Sequence, residues 1–132
     1  MWIGVDLMDV GELDRLMTRP WFRDFTYAPG EQAVAAGLKP GRRREFLAGR
    51  FAAKEAVLKV LNHGLFQGIA PREIELTRSP SGAVGVRLHG AAAAAADGAG
   101  MGDLAVSLTH KRDAVVAVAI GWPSANRGSV RA

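Results

Sequence analysis

The sequence contains no cysteine and no long hydrophobic run. Without cysteine, the chain can form neither disulfide bonds nor thiolate metal sites. The apolar run "AVVAVAI" at 114–120 reaches about a third of the length of a membrane-spanning helix. The opening "MWIGVDLMDV" has a carboxylate where a secretory signal needs positive charge followed by an apolar block. These absences predict a cytoplasmic protein that does not enter a membrane.

Aromatic residues are also few, at 7% of the chain, and the three tryptophans are scattered at 2, 21 and 122. The net charge is +4 and the isoelectric point is near 10.1. A basic surface favours an anionic partner, which can be nucleic acid, a phosphate-rich cofactor or an acidic protein. Proteins that bind single-stranded nucleic acid combine basic grooves with stacking aromatics, so this composition makes nucleic acid the weakest of the three.

The patterning of the 132 residues predicts one compact α+β domain, in which an antiparallel sheet packs on a long helix. We expect the domain at 1–122 and a polar C-terminal tail at 123–132. Apolar spacing and turn residues predict a buried strand ending near Asp6, followed by a helix within 9–17. The later elements expected are a short helix near 31–36 in a segment broken by proline and glycine, a long helix at 43–62, strands at 72–78 and 82–90, an alanine helix, and a hairpin joined by "KRD".

The predicted long helix carries charges among its alanines and leucines, in "GRFAAKEAVLKVL" at 49–61. At 100° per residue, Lys54 lies inside the apolar stripe, and Glu55 lies on its edge one turn before Lys59. Glu55 and Lys59 have the spacing of a solvent-exposed ion pair that contributes about 0.2–0.5 kcal/mol. Lys54 could extend its ammonium out of the stripe. Periodicity alone favours these structural interpretations.

Three collinear segments nevertheless resemble the small 4′-phosphopantetheinyl transferases, the holo-acyl-carrier-protein synthases. "EFLAGRFAAKEAVLK" resembles their signature helix, "IGVDL" their opening strand, and "VSLTHKRDAVVAVAI" their final hairpin. The three segments occur in the order and spacing of that family. The resemblance implies transfer of phosphopantetheine from coenzyme A to a serine of an acyl carrier protein, with release of adenosine 3′,5′-bisphosphate.

The resemblance also implies a role for each charged residue of the signature. Asp6 and Glu55 match the two ligands of Mg²⁺, an ion that favours one or two carboxylates together with phosphates and water. Glu55 would accept the serine proton, and Lys59 would stabilise the phosphate oxygen released as the pyrophosphate breaks. An alternative for Asp6 is a structural one, as N-cap of the following helix with Asp9 as its capping partner.

Further matches imply cofactor contacts. Arg50 and His110 match positions near the nucleotide end of coenzyme A, and the cofactor-binding set also includes Lys59, Ser107 and Thr109. Lys54 matches too, but a packing role explains it equally well. The basic run "GRRR" at 41–44 is either a solvated surface or a contact for phosphates or an acidic carrier protein.

The sequence departs from the family outside the signature residues. The family has a carrier-binding arginine about six residues after the metal-binding aspartate, where this chain has Glu12, and the nearest arginine is Arg15. The family's glycine-threonine-glycine is replaced by "NHGLF", and its glycine-lysine/arginine-proline turn by "GAVGVRL". These differences leave open whether the carrier protein serves fatty-acid or polyketide synthesis.

Two further expectations concern assembly and turnover. The family's small enzymes are homotrimers, and an apolar strand such as "AVVAVAI" needs cover on both faces. We therefore expect a homotrimer with sites between subunits. The competing hypothesis is a non-catalytic module that binds coenzyme A or another nucleotide.

Overall fold

The computed structural model describes residues 1–125, in which a first strand is followed by a run of helices and then by two pairs of strands separated by one helix. In chain order the elements are β1 (Trp2–Asp9), a 3₁₀ helix (Val10–Leu13), α1 (Asp14–Met17), α2 (Pro20–Thr26), α3 (Pro29–Ala36), α4 (Pro40–Val60), a second 3₁₀ helix (Pro71–Glu73), β2 (Ile74–Arg78), β3 (Val84–Leu88), α5 (Gly90–Ala99), β4 (Met101–Lys111) and β5 (Ala114–Pro123).

Proline begins three consecutive helices. Pro20, Pro29 and Pro40 stand in the first turns of α2, α3 and α4. Proline suits this position because its φ is preset for a helix and the first turn leaves its amides unpaired. Prolines expected to break the chain therefore begin helices. Helix α2 is absent from the sequence-based prediction, and α3 and α4 begin two and three residues before their predicted starts.

The strands are antiparallel, as expected for an α+β domain, but they form two sheets where a single sheet was expected. The larger sheet has the order β1-β5-β4, and β2 pairs with β3 in the smaller one. The predicted hairpin is confirmed, with His110 opposite Val115. The predicted end of β1 near Asp6 is wrong, because the strand continues to Asp9 and pairs with β5 over its whole length.

Helix α4 packs on the inner face of the larger sheet through small side chains. Ala52, Ala53 and Ala56 are fully buried. At Gly4 of β1, a Cβ atom would lie 2.2 Å from the carbonyl oxygen of Ala56, far inside van der Waals contact. Glycine is therefore required for the close approach of β1 to α4, which also brings Asp6 beside this part of the helix.

The outer face of the larger sheet is apolar and open. Ile3, Val5 and Leu7 of β1 have exposed fractions of 64%, 53% and 69%. Their partners on β5 are Ile120, Val118 and Val116, which are half-buried. The expectation that β1 is a buried strand is thus wrong for this face, whereas Gly4 and Met8 on the other face are buried.

The C-terminal boundary differs slightly from the expected one. β5 includes Pro123, one residue inside the predicted tail, and residues 126–132 of that tail lie outside the described residues. Within residues 1–125, no helix combines the length and hydropathy needed to cross a membrane.

Candidate active site

Asp6 and Lys59 meet where β1 crosses α4. The Lys59 Nζ atom donates to the backbone carbonyl of Val5 at 2.7 Å and lies 3.3 Å from Asp6 Oδ1. Burial raises the pKa of Asp6, and the hydrogen bond from Lys59 opposes this rise. The Lys59 side chain remains half-exposed, so its ammonium can contact a bound anion while it also donates to the Val5 carbonyl of β1.

Glu55 lies one turn before Lys59 and is half-buried. Its Oε1 atom is buried and has no hydrogen-bond partner among the described residues. Burial is the main cause that raises the pKa of Glu55, and the nearby charge of Asp6 raises it further. A buried carboxylate oxygen without a donor is costly, so the site fits a cation or a proton donor at this position.

The structural alternatives for these residues are wrong. Asp6 does not cap the following helix, since the N-cap is Asp9, whose backbone N–H donates to Glu12. Glu55 and Lys59 do not form an ion pair within 4.0 Å, because Lys59 turns to β1 instead. The helix therefore presents its carboxylate and its ammonium separately to the same surface.

Lys54 is fully buried, as its place in the apolar stripe predicts. Its ammonium donates to Glu31 Oε1 at 2.7 Å, to the carbonyl of Pro71 at 3.0 Å and to the carbonyl of Ile74. These three acceptors match its three donors. The contacts therefore favour the packing role over cofactor binding or an outward-reaching side chain, and they join α4 to α3 and β2.

Arg50, one turn before Lys54, is also buried, with an exposed fraction of 5%. Its guanidinium lies 4.5 Å from the ring centroid of Phe46, and its Nε atom has no partner among residues 1–125. Burial is the main cause that lowers the pKa of Arg50, and the charge of Arg78 adds to it. An arginine with an unused donor suits the predicted role as a phosphate ligand.

The residues predicted on β4 lie on different faces of the sheet. Ser107 and Thr109 are exposed and pair with Val118 and Val116 of the apolar outer face, so α4 lies on the opposite side. His110 alternates with them and is exposed near the strand end. Within one chain, Asp6, Glu55 and Lys59 therefore lie close together, whereas Ser107 and Thr109 lie on the other side of the sheet.

Two further residues bear on the prediction. Arg15 is exposed on α1, as a carrier-binding side chain would be.

Glu31 was not predicted at all, although its carboxylate also accepts hydrogen bonds from the backbone N–H groups of Ala28 and Leu76. The signal was present at the start of α3, where a glutamate follows a proline at the capping-box position.

The donor set suits Mg²⁺ with ligands shared between protein and substrate. Asp6 and Glu55 supply hard carboxylate oxygens, and one of these oxygens is buried without a partner. Among residues 1–125, no cluster of three or more histidine, aspartate or glutamate side chains has the geometry of a metal site. Two carboxylates fit an ion that takes its remaining ligands from phosphates and water.

The chain is similar to known proteins in sequence and in fold. A family model described as the 4′-phosphopantetheinyl transferase superfamily matches residues 3–119. A holo-[acyl-carrier-protein] synthase of Nitratidesulfovibrio vulgaris (strain DP4) is 52% identical over 126 residues, which cover 91% of this chain and 98% of that protein. A solved complex of the Chronobacterium ammoniagenes synthase with coenzyme A has a TM-score of 0.79 at 30% identity, covering 92% of this chain and 96% of that one.

The acyl carrier protein synthase of Mycobacterium tuberculosis has a TM-score of 0.70 at 32% identity, with coverage of 92% of this chain and 96% of that one. The similarity thus extends over nearly the whole chain in both sequence and fold. The chain therefore belongs to the 4′-phosphopantetheinyl transferase superfamily, within its holo-[acyl-carrier-protein] synthases.

Proposed function

We propose that this protein transfers 4′-phosphopantetheine from coenzyme A to a serine of an acyl carrier protein, with Mg²⁺ held by Asp6 and Glu55. The observation that carries the proposal is the crossing of β1 and α4. It places two carboxylates and the Lys59 ammonium together, with one carboxylate oxygen buried and unpaired. When bound, Mg²⁺ supplies charge neutralisation for the pyrophosphate of the substrate.

Two side chains of α4 carry out the proton transfer and the stabilisation of the leaving group. Glu55 accepts the proton of the serine hydroxyl, directly or through a water molecule. Lys59 donates to the phosphate oxygen of the leaving group, adenosine 3′,5′-bisphosphate. Its hydrogen bond to the Val5 carbonyl keeps this ammonium beside the carboxylates.

Coenzyme A binding falls to residues around this centre. Arg50 and His110 contact the nucleotide portion, and Ser107 and Thr109 contribute hydroxyl donors from β4. The synthase of Chronobacterium ammoniagenes has been solved as a complex with coenzyme A, which supports the same ligand here. Lys54 is left out of this set because its donors are already used inside the domain.

The second substrate is an acidic acyl carrier protein, of fatty-acid or polyketide synthesis. Arg15 on α1 is the residue proposed to contact it, supported by the exposure of that side chain. The basic run 41–44 at the start of α4 adds positive charge to the surface that meets the carrier.

The active form proposed is a homotrimer. The family resemblance supplies the number three, while the open apolar face of the larger sheet supports association of copies. Ser107 and Thr109 stand on that face, whereas Asp6 and Glu55 lie on the opposite one. A head-to-tail packing, in which the β1–α4 crossing of one copy meets the outer face of the next, would bring the two sets together. Each site would then lie between two subunits.

The direct test is mass spectrometry of apo acyl carrier proteins incubated with the enzyme, coenzyme A and Mg²⁺. We expect a mass increase of one phosphopantetheine group, lost with EDTA and in the Glu55→Gln variant. The Glu45→Gln variant, at another half-buried glutamate of the same helix, serves as the charge-matched control and should retain transfer. Binding of coenzyme A without any mass increase would identify a non-catalytic module instead.

A further inference from the structure

Helix α1 has little contact with the hydrophobic core. Its four residues, Asp14–Met17, include no buried side chain, and within this helix only Met17 is half-buried against the core. So short a helix is not stable by itself, since isolated helices need about 12–15 residues. The orientation of α1 therefore depends on contacts from neighbouring elements.

Arg44 of α4 binds the first residue of α1 through two hydrogen bonds. Its Nε atom lies 3.0 Å from Asp14 Oδ1, and its Nη2 atom lies 2.9 Å from Asp14 Oδ2. The hydrogen bonding from Arg44 lowers the pKa of Asp14, so the carboxylate is ionised at neutral pH. A bidentate pair fixes the relative orientation of guanidinium and carboxylate, which a single contact does not. The pair therefore ties α1 to α4 with a defined geometry.

The backbone beside this pair leaves room for the guanidinium. A Cβ atom at Gly11 would lie 2.7 Å from Arg44 Nη2, so glycine provides the space that this group occupies. The 3₁₀ helix that contains the glycine is fixed by its buried residues Val10 and Leu13. Arg44 thus binds α1 beside a segment that the core already holds in place.

A second arginine holds the other end of α1. Arg23 of α2 donates from Nη1 to the backbone carbonyl of Met17. Between these two contacts, the Arg15 side chain is exposed and makes no ion pair within residues 1–125. The helix is therefore held at both ends, and the guanidinium between them is free to meet a partner.

We propose that Arg44 is a positioning residue for the carrier-protein contact: by binding Asp14, it orients α1 so that Arg15 meets the acidic partner. This inference rests on the function proposed above, in which Arg15 contacts the acyl carrier protein. An exposed pair adds little to global stability, because water replaces it when the chain unfolds. A local shift of α1 leaves the rest of the domain folded, so the loss of the pair is expected to appear in carrier binding.

The test uses a substitution for which orientation and charge predict opposite results. Asp14→Asn breaks the pair but removes a negative charge, so a purely electrostatic effect would strengthen the binding of an acidic carrier. If the pair orients α1, this variant should raise the KM for an apo acyl carrier protein of fatty-acid synthesis about 3–5-fold, with kcat unchanged. Asp24→Asn, at an exposed aspartate of α2, is the charge-matched control and should not raise that KM.

Two double variants identify the route of the effect. Arg44→Gln should raise the KM for the carrier by a similar factor, and its combination with Asp14→Asn should raise it no further, because both substitutions break the same contact. Adding Asp14→Asn to Arg15→Gln should also change nothing, because the residue that α1 positions is already absent. Additive effects in either double variant, or a lower KM in Asp14→Asn alone, would overturn the proposal. A clearly lower urea midpoint of Asp14→Asn would overturn it too, since the role would then be structural.

Binding measurements separate this proposal from the proposed function. The affinity of each variant for the apo carrier is measured calorimetrically without coenzyme A, so no turnover is needed. If Asp14→Asn binds the carrier more weakly while no form of the enzyme transfers phosphopantetheine, the transferase proposal fails and the positioning role stands. If transfer proceeds and Asp14→Asn keeps the wild-type affinity and KM for the carrier, the reverse holds. A wild type that does not bind the carrier would contradict both.

Discussion

At the scale of single residues, the negative charge of Glu55 lowers the stability of the metal-free folded protein. Its carboxylate is partly desolvated, lacks a donor for Oε1, and lies near the charge of Asp6, so its pKa is raised in the folded state. A raised carboxyl pKa means that the folded protein binds the proton more tightly than the unfolded chain. The resulting stability is present at low pH and is lost as the pH rises through the folded-state pKa.

We therefore expect the metal-free Glu55→Gln variant to be more stable than the wild type at pH 7. The gain should shrink towards pH 4, where the wild-type carboxyl becomes protonated, and it should appear as a shift in Tm. Mg²⁺ should raise the Tm of the wild type but not that of the variant, because a bound cation removes the same penalty. A lower Tm for Glu55→Gln at neutral pH without metal would contradict this account.

The charges of Lys54 and Glu31, unlike that of Glu55, stabilise the folded protein because they form a buried ion pair. Both side chains are buried and fully hydrogen-bonded, so removal of one leaves the other charge unpaired. We expect Lys54→Met to lower the free energy of unfolding by about 3–5 kcal/mol, measured by urea denaturation. Addition of Glu31→Gln should recover part of that loss.

The control is Arg44→Met, which breaks the ion pair of Arg44 and Asp14. That pair has a comparable distance, 2.9 Å, but both side chains are about half-exposed. Its loss should barely change the denaturation midpoint, since water replaces the interaction. Equal losses in Lys54→Met and Arg44→Met would show that burial is not the deciding factor.

At the scale of elements, the sequence predicts what depends on local periodicity and misses what depends on packing. The α4 helix and the β4–β5 hairpin follow from apolar spacing, and Lys54 was placed correctly in a buried stripe. The partner of Lys54 was not predictable, because Glu31 is distant in sequence. Helix α2 was missed since its proline was taken as a break. The exposure of the outer face of β1 was not predictable either, because it depends on which strands pair with β1.

The contact between β1 and α4 gives an element-scale prediction. Gly4→Ala places a methyl group 2.2 Å from the Ala56 carbonyl oxygen, so the strand must move away from the helix. Overpacking typically costs about 1–3 kcal/mol, and we expect the upper end here because the clash is with backbone. Transfer activity should fall more than stability explains, because Asp6 and Lys59 separate as the strand shifts.

Gly41→Ala is the matched control for that substitution. Gly41 lies within the first turn of α4, and a Cβ atom there would meet nothing within 4 Å. Alanine in a helix is more favourable than glycine by roughly 0.5–1 kcal/mol, so this variant should unfold at a higher denaturant concentration. A Gly4→Ala variant as active and as stable as Gly41→Ala would show that the close approach is not required.

At the scale of the whole molecule, the outer face of the larger sheet predicts self-association. Val5→Lys places a charge in the middle of that face, whereas Val34→Lys places it on α3, and both valines have an exposed fraction of 53%. We expect light scattering to give a trimer for the wild type and for Val34→Lys. Val5→Lys should shift to monomers at micromolar concentration, and an unchanged mass would exclude this face as the interface.

The shared site gives the sharpest test at this scale. Glu55→Gln removes the carboxylate from α4, and Thr109→Glu places a negative charge on the outer face where a phosphate is expected to bind. Each variant alone should be nearly inactive. In a ring of head-to-tail contacts, random mixing of the two leaves about one interface in four with both native residues. Mixed assemblies should therefore recover up to about a quarter of the wild-type rate, as measured by carrier-protein mass spectrometry. If native mass spectrometry verifies mixing and no activity returns, each site is built within one chain, and the sheet face serves assembly alone.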